Sequence, residues 1–180
     1  MSRRPTSEPQ ASLRAGGLVL EPQVAGHAAE MFTVLSDPAI YEFENSPPES
    51  EAWLEHRFRR LESRRSADGA ERWLNWVIRL PSGELAGYVQ ATVTRGDVAY
   101  VAYELASRHW RRGIGGASVR AVLTELRTSY SVRTFVAVLK AANFRSEALL
   151  RSLGFAATAP PGFAPVACEA DEIVMYSRWT

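Results

Sequence analysis

The chain has 180 residues, 46% hydrophobic and 23% charged, the make-up of an ordinary globular protein and enough for one domain with a full core. A net charge of +1 supplies no field to draw it to nucleic acid or to an anionic membrane, and no apolar run approaches the ~20 residues that span a bilayer. The single cysteine, Cys168, excludes an intrachain disulfide and fits a reducing, cytoplasmic setting, while His27, His56 and His109 lack any metal-ligand spacing.

The start, M-S-R-R-P-T-S-E-P-Q-A-S, has no apolar signal core, so residues 1–12 are expected to be a disordered tail and residues 13–180 a single domain. Residues 13–21 read as a first strand, with Gly16 and Gly17 marking a bulge or a loose start. Residues 22–35 read as a helix: Val24, Ala28, Met31, Phe32 and Leu35 share one face, and Pro22 suits a first turn. Ser36-Asp37-Pro38 stops it, and Asn45-Ser46-Pro47-Pro48 is loop. Ser50 caps a second helix expected to run to Arg65, with Trp53, Leu54, Phe58 and Leu61 as its buried stripe. Its arginines, Arg57, Arg59, Arg60, Arg64 and Arg65, read as a solvated face rather than a phosphate patch.

Residues 71–80 and 85–94 alternate as strands around the Pro81-Ser82-Gly83-Glu84 turn and form an antiparallel hairpin. Arg95-Gly96-Asp97 turns the chain into residues 98–105, apolar but for Glu104, which predicts a strand buried on both faces. A helix over about 113–129 leads to another apolar strand, 132–139, parallel to the strand before that helix across a right-handed crossover. Asn143 caps a helix to Ser152, Gly154 ends it, and the loop around Pro160-Pro161-Gly162 leads to a last strand at 169–178. The order is β-α-α-β-β-β-α-β-α-β, a mixed α/β fold.

Chemistry concentrates after the 98–105 strand, in H-W-R-R-G-I-G-G-A-S. A glycine-rich turn opening a helix leaves backbone N–H groups unpaired, and with the helix dipole these favour a phosphate or pyrophosphate. Arg111 and Arg112 add positive charge at the same point. A P-loop would need Lys then Ser or Thr after Gly116, where Ala117 stands; a dinucleotide fingerprint would need glycine or alanine where Ser118 stands.

Trp110-Arg111-Arg112-Gly113-Ile114-Gly115-Gly116 resembles the acyl-CoA pyrophosphate loop of the GNAT superfamily of acyl-CoA-dependent N-acetyltransferases, Gln/Arg-x-x-Gly-x-Gly/Ala. Trp110 at the Gln/Arg position departs from the general pattern and is similar to the branch containing the ribosomal-protein alanine N-acetyltransferases. Asn143-x-x-Ser146 followed by Leu153-Gly154-Phe155 looks like that superfamily's segment after its fifth strand. The resemblance covers nearly the whole chain from Leu13. It implies a central mixed, mostly antiparallel sheet of about six to seven strands, splayed at the acyl-CoA site and flanked by about four helices.

What the resemblance implies for function is transfer of an acetyl group from acetyl-CoA to a primary amine, on a protein N-terminus or a small molecule. Arg111, Arg112, Gly113, Ile114, Gly115 and Gly116 would bind the pyrophosphate, Asn143 the pantetheine arm, and a backbone N–H near Leu105 the thioester carbonyl. Many members carry a tyrosine general acid seven residues after the Asn; Leu150 stands here, leaving Ser146 as the nearest polar candidate. Homodimers are common in the superfamily.

An acceptor amine must lose a proton to attack. Glu104, alone among apolar neighbours, is the candidate base, on one face with Ala102 and Tyr100 and opposite Tyr103 and Leu105. A structural pairing of Glu104 with an arginine, or a water chain in place of a base, stays open. Tyr88, Gln90 and Asn75 are candidate substrate-side groups, and Trp53, Trp73 and Trp76 line an acceptor pocket or belong to the core. The alternatives are a catalytically silent acyl-CoA-binding module and a nucleotide-phosphate-binding α/β protein using the same cradle.

Overall fold

The structure, a computed structural model, describes residues 10–179. Its seven strands form one sheet in chain order: β1 (Leu13–Ala15), β2 (Leu18–Pro22), β3 (Arg72–Arg79), β4 (Leu85–Val93), β5 (Val98–Leu105), β6 (Thr134–Lys140) and β7 (Glu172–Arg178). All neighbours are antiparallel except β5 and β6. The helices are α1 (Ala28–Leu35), α2 (Glu51–Leu61), α3 (Ile114–Tyr130) and α4 (Phe144–Ser152). The mixed, mostly antiparallel sheet with four helices is the expected fold. Among the described residues no helix is long and apolar enough to cross a membrane.

The alternation of each strand sorts side chains between two layers. One face carries Leu20, Trp76, Val89, Val101 and Phe135 against Val119, Val122 and Leu126 of α3 and Leu150 of α4. The other carries Val77 and Leu85 against Met31 and Val34 of α1 and Leu54 and Phe58 of α2. Further along that second face, the loop over 156–171 lays Phe163 and Val166 on Val136 and Tyr176. Between these covers the sheet stays open, and Tyr100 and Ala102 of β5 are exposed. The expectation that β5 is buried on both faces is therefore corrected: helices cover only one side of its middle.

The N-terminal part differs most from the sequence reading. The single strand expected over 13–21 is a tight hairpin, because Gly16 takes φ +62° and reverses the chain. Pro22 ends β2 opposite Trp76 instead of starting a helix, and α1 begins only after a 3-10 turn over Ala25–His27. Ser50 caps α2 as expected, accepting from the Trp53 N–H at 3.1 Å, but the helix stops at Leu61 rather than Arg65. Arg64 then takes φ +58° and its carbonyl accepts from the Trp73 N–H at 2.9 Å, which turns the chain along β3. The buried stripe of α2 narrows to Leu54 and Phe58, with Trp53 41% exposed. β7 starts at Glu172, later than expected; Glu169 and Asp171 before it are drawn to the Lys140 ammonium at 2.7 and 3.0 Å. Of the tail expected over 1–12, residues 1–9 lie outside the described residues; Gln10 Nε2 donates to the Asn75 carbonyl at 2.8 Å, and the Ala11 carbonyl accepts from Trp76 Nε1 at 2.9 Å.

Candidate active site

β5 and β6 pair only through Val98–Thr134, Ala99–Phe135 and Tyr100–Val136. β5 stays paired with β4 along its whole remaining length, to Gly87–Leu105. The two parallel strands thus part after Tyr100 and leave a wedge whose β5 lip has no strand partner. Ala106 donates its N–H to the Ala86 carbonyl at 2.9 Å on the β4 side. Adjacent strand residues turn their polar groups to opposite edges. Leu105 accordingly faces the wedge: its carbonyl accepts from Trp110 Nε1 at 2.7 Å, and its N–H lies on the same edge. Trp110, the departure from the family motif, clamps the end of β5 to the start of the glycine turn.

That turn is bent by two left-handed residues, Arg111 at φ +59° and Gly113 at φ +77°. A non-glycine residue there is uncommon and costs about 1–3 kcal/mol, which the surrounding structure must hold. The first α3 bond runs from the Ala117 N–H to the Gly113 carbonyl at 3.0 Å, so the N–H groups of Ile114, Gly115 and Gly116 have no acceptor within the helix. A Cβ on Gly116 would meet nothing within 4 Å, which leaves open space at the helix mouth; one on Gly115 would meet Leu149 Cδ1 at 3.1 Å, so Gly115 also lets α4 approach α3. Arg111 and Arg112 are exposed and, among the described residues, have no ion-pair partner. The donors, dipole and charge fit the pyrophosphate of a coenzyme A thioester, and the wedge fits a narrow pantetheine arm.

On the other lip of the wedge, Asn143 caps α4, its Oδ1 accepting from the Ser146 N–H at 3.1 Å. The Tyr103 hydroxyl donates to the Ser146 carbonyl at 3.3 Å. Burial pushes the Tyr103 phenol up to about 12. Leu150, the position at which relatives of the motif carry tyrosine, is buried in the core. Arg145 bridges the site from above: it pairs with Glu42, and its guanidinium lies 4.5 Å from the Trp110 ring and 4.9 Å from that of Phe43.

Glu104 lies on the open face, away from Tyr103 and Ser146. It lines a pocket of about 320 Å³ shared with Tyr88, Gln90, Tyr41, Arg57 and Gln23. Burial raises its carboxyl above the ordinary range; a hydrogen bond from Tyr88 opposes this, Glu44 adds to it and Arg57 subtracts. The Tyr88 phenol, Cα partner of Glu104 across β4–β5, is raised well above its usual value, first by burial and then by the Glu104 charge.

The structure thus brings Leu105 and residues 111–116 together at one lip, Asn143 and Ser146 at the other, and Glu104 on the face below. Of the tryptophans, Trp53 lines the pocket while Trp76 is fully buried against α3. Arg57 stays exposed, as expected, and also lines the pocket, whereas Arg64 leaves the solvated face assigned to it: its Nη2 donates to the Gln23 carbonyl at 2.6 Å. Sequence reading missed Tyr103, Arg145, Gln23 and Gly87, since each acts through a partner distant in the chain. A Cβ at Gly87 would fall 2.1 Å from the Glu104 carbonyl oxygen, so glycine is what lets β4 close on β5 at the site.

A family model described as "Acetyltransferase (GNAT) domain" matches residues 17–156. The chain belongs to the GNAT acetyltransferases. The ribosomal-protein-S5-alanine acetyltransferase of Vibrio fischeri superposes with a TM-score of 0.75 at 16% identity, over 94% of this chain and 97% of that one. The ribosomal L7/L12 α-N-protein acetyltransferase RimL, in complex with coenzyme A, gives a TM-score of 0.76 at 17% identity, over 92% of this chain and 96% of that one. A spermidine N-acetyltransferase SpeG chimera from Vibrio cholerae and hSSAT gives 0.69 at 20% identity, over 91% and 96%. These GNAT likenesses show a shared fold. No functionally curated protein matches the sequence.

Proposed function

We propose that this GNAT domain transfers the acetyl group of acetyl-CoA directly to a primary amine, on a protein N-terminus or a small molecule. The observation that carries the reading is the wedge itself. An unpaired strand edge opens between an anion cradle at one end and a carboxylate-bearing pocket on the open face.

In this reading residues 111–116 hold the pyrophosphate, through the free N–H groups of the first α3 turn and the charge of Arg111 and Arg112. Asn143 and the unpaired edge of β5 receive the pantetheine arm. The Leu105 N–H polarises the thioester carbonyl and holds the oxyanion. Glu104 accepts the amine proton, directly or through water, and its raised pKa keeps it a competent base near neutral pH. The amine nitrogen bonds to the carbonyl carbon, the carbon–sulfur bond breaks, and the thiolate takes a proton at the lip where Tyr103 and Ser146 meet.

A thermal shift with acetyl-CoA, free CoA and ATP tests donor binding. A ligand at a hundred times its Kd stabilises by about 2.7 kcal/mol. For a chain of this length that is a rise of roughly 5–11 °C. The expected result is a shift with both CoA species and none with ATP; a shift with ATP alone would assign the cradle to another phosphate.

A further inference from the structure

Three amide side chains stand in one row across the open face. Gln90 of β4 is the Cα partner of Asn75 of β3, and Ala102 is the partner of Gln90 on β5. Gln23, just beyond β2, continues the row: its N–H donates to the Asn75 carbonyl at 2.9 Å. Gln23 and Asn75 are 3% and 4% exposed, yet among the described residues neither Gln23 Nε2 nor Asn75 Nδ2 has a hydrogen-bond partner. Gln23 lines the pocket together with Gln90 and Glu104.

Buried donors in native proteins are satisfied, and an unsatisfied one points to a missing partner. The main-chain carbonyls of Gln23 and Asn75 are already engaged and do not supply it. The Gln23 carbonyl is held by Arg64 Nη2 at 2.6 Å and the Asn75 carbonyl by Gln10 Nε2 at 2.8 Å. The main-chain carbonyls are bonded while the amide nitrogens of Gln23 and Asn75 are spare. Their missing partners are oxygen acceptors.

We infer that Gln90 and Gln23, at the two ends of this row, bind the backbone of an extended peptide whose free N-terminus is the acetylated amine, with their amide groups donating to its carbonyl oxygens. The inference rests on the proposed acetyl transfer, which sets the amine beside Glu104. The span selects among acceptors. Three inter-strand steps of about 4.8 Å separate the Gln23 backbone from β5, about 14 Å, which the side chains reduce to roughly 10 Å. A free amino acid carries its carboxylate next to its amine and reaches only one end. A polyamine has the length but offers no acceptor oxygen. An extended peptide advances about 3.3–3.6 Å per residue, so the carbonyl of its second or third residue arrives at the row. Amide side chains read backbone without regard to sequence; Trp53 and Tyr41 on the pocket wall are left to meet the acceptor's side chains.

The test measures thiol release from acetyl-CoA by the unaltered protein with Ala-Ala-Ala-Ala amide, with the same peptide reduced to a methylene at its second or its third carbonyl, with free alanine and with spermidine. At least one reduction is expected to lower kcat/KM by about tenfold, mainly through KM, as for loss of a bond to a buried donor. Alanine and spermidine are expected to be poorer still. Gln23→Met, which keeps the volume and removes the donor, should erase the preference for the intact peptide, raising its KM while kcat and the acetyl-CoA thermal shift hold. Equal rates with intact and reduced peptides, a preference for spermidine or alanine, or a preference surviving Gln23→Met would each overturn the inference. If Gln23→Met does not fold, the reduced peptides still decide on the unaltered protein. Turnover of spermidine alone would sink the peptide track and leave acetyl transfer standing, whereas no release with any amine would sink both.

Discussion

The Tyr103 hydroxyl donates to the Ser146 carbonyl at 3.3 Å, tying β5 to α4 across the wedge that opens after Tyr100. Leu150 fills the tyrosine position of the family motif with a core side chain, so in the proposed reaction this phenol, beside the Ser146 candidate, is a hydroxyl that would protonate the leaving thiolate. With its pKa pushed up to about 12 it stays protonated near neutrality and can donate. Tyr103→Phe is expected to lower kcat by about 10²-fold, at the low end of general-acid contributions, while the acetyl-CoA thermal shift is retained. Its stability cost, one hydrogen bond, is about 1 kcal/mol. An unchanged kcat would move the proton donor elsewhere.

As the proposed base, Glu104 would set the pH dependence of turnover. A base works deprotonated, and burial raises its pKa with Glu44 adding to the effect. The logarithm of kcat/KM should therefore climb with pH up to that raised value and then level. Glu104→Gln should remove this acid limb and lower the plateau by about 10²- to 10⁴-fold, with donor affinity intact. A pH–rate profile identical in the variant would assign the proton to a water chain.

The sequence makes the cradle and the strand order legible because both rest on local chemistry: a glycine cluster between an apolar strand and a helical stretch reads as a turn into a helix, and Pro81–Glu84 between two alternating segments reads as a hairpin turn. The N-terminal third is less legible. Gly16 and Gly17 are compatible with a bulge or a reversal, and the pairing of β1 with β2 decides for the reversal. Pro22 is equally at home ending a strand or starting a helix. The α2 terminus depends on Arg64 reaching Gln23, 41 residues earlier in the chain. Gln23 and Tyr103 gain meaning only from neighbours that the fold brings beside them.

Gly87 shows how tightly the site is built. Gly87→Ala would place a methyl group 2.1 Å from the Glu104 carbonyl oxygen and 2.8 Å from Leu105 Cα, both backbone atoms. Overpacking of this kind costs about 1–3 kcal/mol or more. The melting midpoint should drop by several degrees, and kcat should fall at temperatures where the variant is still folded, because β5 must shift. A midpoint and kcat both within error of the parent would show that β4 and β5 do not close as described.

His109, 2% exposed beside the cradle, sets a stability window. Burial first, and Arg108 next, lower its pKa, although Glu84 lies 3.5 Å from its Nε2. The native state then binds the proton less readily than the unfolded chain, whose value is about 6.5. The stability from neutral His109 is fully present above that value and is lost as pH falls through it toward the lowered folded value. His109→Leu should shed this loss, so its midpoint relative to the parent should rise as pH falls from 7 to 5. A difference constant across that range would refute the assignment.

Direct acetyl transfer is tested most directly by following thiol release from acetyl-CoA with and without a peptide amine. The account predicts release that requires the amine, matches the acetylated product mole for mole, and shows no burst when the amine is withheld. A stoichiometric burst without amine would mean an acyl-enzyme, and no amine-dependent release at saturating acetyl-CoA would contradict the enzymatic reading outright.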